Sequence, residues 1–166
     1  MADADLVAFL NNRIADGRAL DTCVTTLRGQ IRDFDRQARE CRMAFVGDSK
    51  TMSNSRGLQG GYAAAMCDTA CAYLAMLMSS MENTMSTLEQ KCSYIAPVPL
   101  DEPVVVHARI VRQGKSVIFF EATLKDRNNA VCVIASQTSI LIPAKRRTKQ
   151  DSSKPESSSE QSSNKL

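Results

Sequence analysis

Residues 59–81 read Gln59-Gly60-Gly61-Tyr62-Ala63-Ala64-Ala65-Met66-Cys67-Asp68-Thr69-Ala70-Cys71-Ala72-Tyr73-Leu74-Ala75-Met76-Leu77-Met78-Ser79-Ser80-Met81. Ala, Leu and Met dominate, and these are strong helix formers. The stretch is apolar on every face, which predicts a helix surrounded by protein rather than one lying on a surface. From Gly60 to Met81 the one acidic or basic side chain is Asp68. A carboxylate in such a setting is costly unless something compensates for it. It is either a structural Asp satisfied by backbone or a Thr/Tyr hydroxyl, or a functional carboxylate. The Gly60-Gly61 pair stands where the helix begins. Helix N-termini leave backbone N–H groups unpaired, and glycine lets a ligand approach them. Such donors suit a carbonyl oxygen that gains negative charge during attack. A plain loop-to-helix turn needs the same glycines.

Downstream, four runs carry strand character: 87–95, 103–112, 116–126 and 130–142. Pro97–Pro99, Gln113–Gly114 and Arg127–Asn129 separate them. The short breaks between the last three predict antiparallel hairpins. Upstream, Leu6, Leu10 and Ile14 recur at helical spacing, which predicts a helix over 4–15 stopped by Gly17. Residues 22–34 and 38–47 are strand candidates, and 48–58 is a polar loop. One buried helix with an antiparallel meander is an α+β pattern.

The chain has 166 residues, is 43% hydrophobic and 23% charged, and carries a formal charge of +3, which leaves room for one globular domain. The charge is uneven. Residues 144–166 hold six Lys/Arg and three acids, leaving 15 basic against 15 acidic residues in 1–143. The folded part therefore has no basic character of the kind nucleic-acid binding requires. No membrane span is expected, and the acidic opening stretch does not resemble a signal peptide. Cys23, Cys41, Cys67, Cys71, Cys92 and Cys132 form no C-x-x-C pair and no cluster with histidine, so they read as reduced thiols with no metal. Residues 144–166 are rich in Ser, Lys, Glu and Gln and should form a disordered tail. The resulting division is 1–19 helix and linker, 20–143 domain, and 144–166 tail.

The stretch Leu58-Gln59-Gly60-Gly61 through Asp68-Thr69-Ala70 resembles the helix motif of hotdog-fold acyl-CoA thioesterases of the phenylacetate-degradation type. That motif runs His-Gly-Gly, six residues, then Asp, and the spacing here matches without gaps. Tyr94-Ile95-Ala96-Pro97-Val98 and Val111-Arg112-Gln113-Gly114-Lys115-Ser116 resemble the family's strand end and hairpin. The resemblance implies an α+β hotdog fold, a long central helix wrapped by a curved antiparallel β-sheet. It implies hydrolysis of an acyl-CoA thioester, with Asp68 as nucleophile or general base. It also implies the Gly60 backbone N–H as donor to the thioester oxygen and Thr87 as a hydroxyl near the carboxylate, with Ser86 as the register alternative. Gln59 replaces the family histidine, and Asn54 lies one residue off the family's amide position. Gln59, Gly61 and Asn54 are thereby candidate substrate-binding residues. Arg112, Gly114, Lys115 and Ser116 are candidates for coenzyme A phosphate contact; ordinary solvated hairpin charges read the same way. The Met66, Met76, Met78, Met81 face suits core packing or an acyl groove. No cofactor beyond the substrate's own coenzyme A is implied.

Gly60 and Asp68 are eight residues apart, about 12 Å along an α-helix. Reacting atoms must come within about 3–3.5 Å. A site using both groups therefore draws Asp68 from one chain and Gly60 from another, in agreement with the homodimer, or dimer of dimers, that the resemblance implies. The alternatives are a non-catalytic acyl-CoA-binding hotdog protein, with Gln59 marking lost activity, and a hydratase, which lacks the expected histidine near the helix. His107, the one histidine, reads as a satisfied sheet residue. The expected location is cytoplasmic, with a peroxisome-like address possible from the ending Asn164-Lys165-Leu166, which differs from S-K-L at its first position.

Overall fold

The computed structural model describes residues 2–19 and 22–143; the polar tail and its C-terminal tripeptide lie outside the described residues, as do Leu20 and Asp21. The elements run α1 (Asp3–Ala15), α2 (Thr22–Thr26), β1 (Gln30–Asp35), β2 (Glu40–Val46), β3 (Ser53–Asn54), β4 (Gly57–Leu58), α3 (Gly60–Met78), β5 (Asn83–Tyr94), β6 (Pro103–Gln113), β7 (Val117–Lys125) and β8 (Val131–Pro143). Six strands form one antiparallel sheet in the order β1-β2-β6-β7-β8-β5. Its inner face wraps α3, the long central helix of the expected α+β hotdog architecture. The strand face toward the helix is apolar, with Val104, Val106, Ala108 and Ile110 on β6 and Ile118, Phe120, Ala122 and Leu124 on β7 all buried. This is the period-2 alternation of a sheet with one covered face.

One expectation needs correcting. Residues 22–34 are not one strand: 22–26 form the short helix α2, and the strand begins at Gln30. The β-branched run Thr22, Val24, Thr25, Thr26 favours strand locally, but Val24 and Leu27 are fully buried in the core, and packing overrides propensity. The loop 48–58 also contains the two-residue hairpin β3–β4.

α3 is long and apolar enough to cross a membrane by length and composition, yet most of it is buried by the chain's own sheet. Met66 and Met76 are buried in the core, and Met78 and Met81 pack against it. Arg36 closes the C-terminal end of α3. Its guanidinium donates to the carbonyls of Met78 (2.7 Å) and Leu77 (2.9 Å) and to Asp3 Oδ1 (2.7 Å), so one cation meets the negative helix end and ties α1 to it. The two sheet edges differ. At β1, the Asn11 side chain of α1 accepts from Ile31 N (2.9 Å) and donates to Ile31 O (2.8 Å). A side-chain amide thus takes the place of a neighbouring strand there. The other edge, β5, has no strand beside it among the described residues.

Candidate active site

Asp68 lies midway along α3, half-buried, facing β5. Thr87 on β5 donates its hydroxyl hydrogen to Asp68 Oδ1 at 2.6 Å. Ser86, the register alternative, lines the same cavity without reaching the carboxylate. The cavity of about 430 Å³ is walled by Ala65, Asp68, Thr69, Ala72 and Met76 of α3, by Thr84–Thr87, and by Cys23 of α2. Small residues at 65 and 72 leave the space open beside the carboxylate, and Met76 and Met85 give it an apolar floor.

Behind Thr87 stands a group that sequence reading missed. Gln137 of β8 is buried and donates from Nε2 to Thr87 Oγ1 (3.0 Å) and Ser139 Oγ (3.1 Å). The register puts Ser139 directly opposite Thr87.

The helix start forms a second, separate cavity of about 290 Å³, lined by Asn54, Arg56, Gly57, Leu58, Gly60, Ala63 and the segment Tyr94–Val98. Gln59 is the helix cap: its Oε1 accepts from Gly61 N at 2.8 Å, and its carbonyl accepts from Tyr62 N and Ala63 N. The Gly60 N–H has no acceptor among the described residues, so of the two glycines it is Gly60 that keeps a free donor. Tyr94 crosses over it. The phenol donates to Gly60 O at 3.1 Å, and a Cβ on Gly60 would lie 3.1 Å from the Tyr94 ring. Partial burial pushes the Tyr94 pKa up, which keeps the phenol a donor. Asn54 shapes the β3–β4 turn, its Oδ1 accepting from Arg56 N at 2.8 Å. Gly57 (φ 147°) is required: a Cβ there would sit 2.6 Å from Val98 O, which accepts from Leu58 N.

One irregularity puts both halves of the site on the same side of β5. Thr87 and Tyr94 are seven residues apart, an odd number, and in a regular strand they would face opposite ways. The register shifts between Thr87 and Glu89. The extra residue, Leu88, resets the alternation, as a bulge does. Gln90, which donates to Ala64 O at 3.1 Å, and Tyr94 then face α3 along with Thr87.

Other predicted site residues stand apart. Arg112, Gly114, Lys115 and Ser116 form the exposed β6–β7 hairpin, closed by Gly114 N–H to Val117 O (2.8 Å), and line neither cavity. Strand register runs from Thr87 through Ser139 and Ile118 to Gln113, so the hairpin stands at the Asp68 end of the sheet. His107 is satisfied across strands, its Nε2 2.8 Å from Glu40 Oε2. The thiols near Asp68 do not compete as nucleophiles. Burial pushes Cys67 up to about 12, and burial likewise raises Cys71 and Cys92, so they stay protonated near neutrality. Among the described residues no group of three or more His, Cys, Asp or Glu could hold a metal ion.

A family model described as the thioesterase superfamily matches residues 58–133, a span that contains Gly60, Asp68, Thr87 and the β6–β7 hairpin. No curated protein is matched by sequence. Among solved structures, a thioesterase of Haemophilus influenzae is 19% identical with a TM-score of 0.70, over 83% of this chain and 93% of that one. A phenylacetic acid degradation-related protein of Ralstonia eutropha is 24% identical with a TM-score of 0.69, over 79% and 98%. The PaaI protein of the E. coli phenylacetic acid degradation operon is 13% identical with a TM-score of 0.70, over 85% and 96%. At these identities the structural likenesses speak for the fold. Together with the family-model match over the helix motif, they show that the chain has the hotdog fold and is similar to thioesterases built on it.

Proposed function

We propose that the protein hydrolyses an acyl-CoA thioester to the free acid and coenzyme A. The observation that carries this reading is the Thr87–Asp68 hydrogen bond at the mouth of an apolar cavity. It engages one carboxylate oxygen and leaves the other to act on the thioester carbon as nucleophile, or on a water as general base. The Gly60 N–H, free at the positive end of α3, stabilises the oxyanion that forms on the thioester carbonyl. Arg112 and Lys115 on their hairpin suit the coenzyme A phosphates.

Asp68 and Gly60 line different cavities of one chain, so the working site joins two copies. Two further features support a homodimer. Along α3, the positions Gly61, Ala64, Ala65, Asp68 and Ala72 are not fully covered by the chain's own sheet, although apart from Asp68 the helix carries no charge. The β5 edge is also open, with Leu88 (60% exposed) and Tyr94 (56%) on it, whereas the β1 edge is closed by Asn11. An uncovered apolar helix face beside an open edge strand fits a second copy related by a twofold axis.

The test is release of free thiol from a panel of acyl-CoA esters, from short to long and from straight-chain to aryl. Saturable turnover of at least one ester supports hydrolysis. Saturable binding without thiol release across the panel would instead favour a binding protein.

A further inference from the structure

Gln137 breaks the pattern of its strand. β8 turns Val133, Ala135, Gln137 and Ser139 toward the helix, all buried. Both amide hydrogens of Gln137 have acceptors, Thr87 Oγ1 and Ser139 Oγ, and Nε2 also lies 4.0 Å from Met85 Sδ. Its Oε1 is buried with no hydrogen-bond partner among the described residues. A buried acceptor left unpaired destabilises a fold, and an apolar side chain of the same length would avoid that cost. The amide stays because of what its nitrogen does.

An amide nitrogen donates and does not accept, while a hydroxyl has one hydrogen. With Nε2–H directed at Thr87 Oγ1, the Thr87 hydrogen cannot turn back toward Gln137, and its acceptor is Asp68 Oδ1 at 2.6 Å. Turned over, the amide would present Oε1 to Thr87 and take that hydrogen. Two oxygens 2.6 Å apart would then face each other with no hydrogen from Thr87 between them. Ser139, opposite Thr87 in register, accepts the second amide hydrogen in this orientation. We propose that Gln137 is a positioning residue: it fixes the direction of the Thr87 hydroxyl, so that one oxygen of Asp68 is always engaged and the other is presented to the reaction. The catalytic part of this inference rests on the thioesterase reading; the hydrogen-bond relay does not.

Two measurements on the full chain test it. Gln137→Met should lower kcat about tenfold, the worth of one directed hydrogen bond, with KM within about twofold. In a Thr87→Val background the same substitution should cost no further kcat. For a residue that only packs the core, the kcat loss would add to that of Thr87→Val. The second measurement needs no activity and leaves Gln137 in place, so it holds even if Gln137→Met fails to fold. The Gln137 side-chain amide resonances should move on Asp68→Asn when Thr87 is present, and stay where they are on Asp68→Asn in Thr87→Val protein. Glu89 and Glu121, the carboxylates of a neighbouring surface depression, are unchanged throughout this cycle. Equal movement with and without the Thr87 hydroxyl, or additive kcat losses, overturns the relay. A wild-type protein that turns over no acyl-CoA while passing the resonance test would sink the thioesterase reading and leave the relay standing.

Discussion

Asp68→Asn keeps the side chain's shape and the oxygen that Thr87 meets at 2.6 Å, but leaves neither a nucleophile nor a base. Thiol release is expected to fall by roughly 100-fold or more, with the thermal midpoint and oligomeric state unchanged; retention of most of the rate would make Asp68 structural. A second prediction concerns the thiols. Cys67 is raised by burial from 9.0 to about 12, and Cys41 and Cys71 are raised in the same direction. A raised folded pKa means that the unfolded thiols lose protons first, so their contribution is constant below about pH 9 and is lost as pH climbs above it. Denaturant midpoints should fall steadily between pH 8.5 and 10.5 by about the amount these thiols imply; a flat profile would contradict their burial. At this scale Asp68 was legible because a lone charge in an apolar helix demands a reason. Gln137 was not, because the run Ala135 to Ser139 reads as an ordinary alternating strand, and Thr87 lies 50 residues away from it.

At the scale of elements, α3 and the three hairpin strands were readable from composition and short turns, since each signal is local. α2 was misread because its β-branched residues favour strand, while burial of Val24 and Leu27 decides for helix. The bulge at Leu88 was invisible: it depends on the pairing partner of β5, and without it Thr87 and Tyr94 could not share a face. The closed β1 edge carries its own prediction. Asn11→Ala removes two hydrogen bonds to Ile31 and leaves the Ile31 N–H and C=O unpaired. Stability should drop by about 1–2 kcal/mol, and the freed edge should raise aggregation on mild heating. Unchanged unfolding midpoints would mean that α1 contributes nothing at that edge.

Across the whole molecule Asp68 and Gly60 line two separate cavities, and on the proposed reading a second copy brings them together. The helix spacing carries that proposal in the sequence; the open edge and half-covered helix that would suit a second copy are displayed only by the fold. Gly60 can be disarmed without breaking α3. Proline lacks an N–H and is tolerated at the first helical position, and Gln59 before it (φ −65°, ψ 135°) already has the extended backbone that a following proline requires. Asp68→Asn and Gly60→Pro subunits, each inactive alone, are co-expressed with different affinity tags, and the doubly tagged fraction is compared with the unfractionated mixture for thiol release. In a hybrid dimer one site carries both lesions and the other carries none, so the doubly tagged fraction should recover about half of wild-type activity and the random mixture about a quarter. Doubly tagged dimers with no activity above their parents, or a fully active species that is monomeric by light scattering at assay concentration, would contradict a site built from two chains.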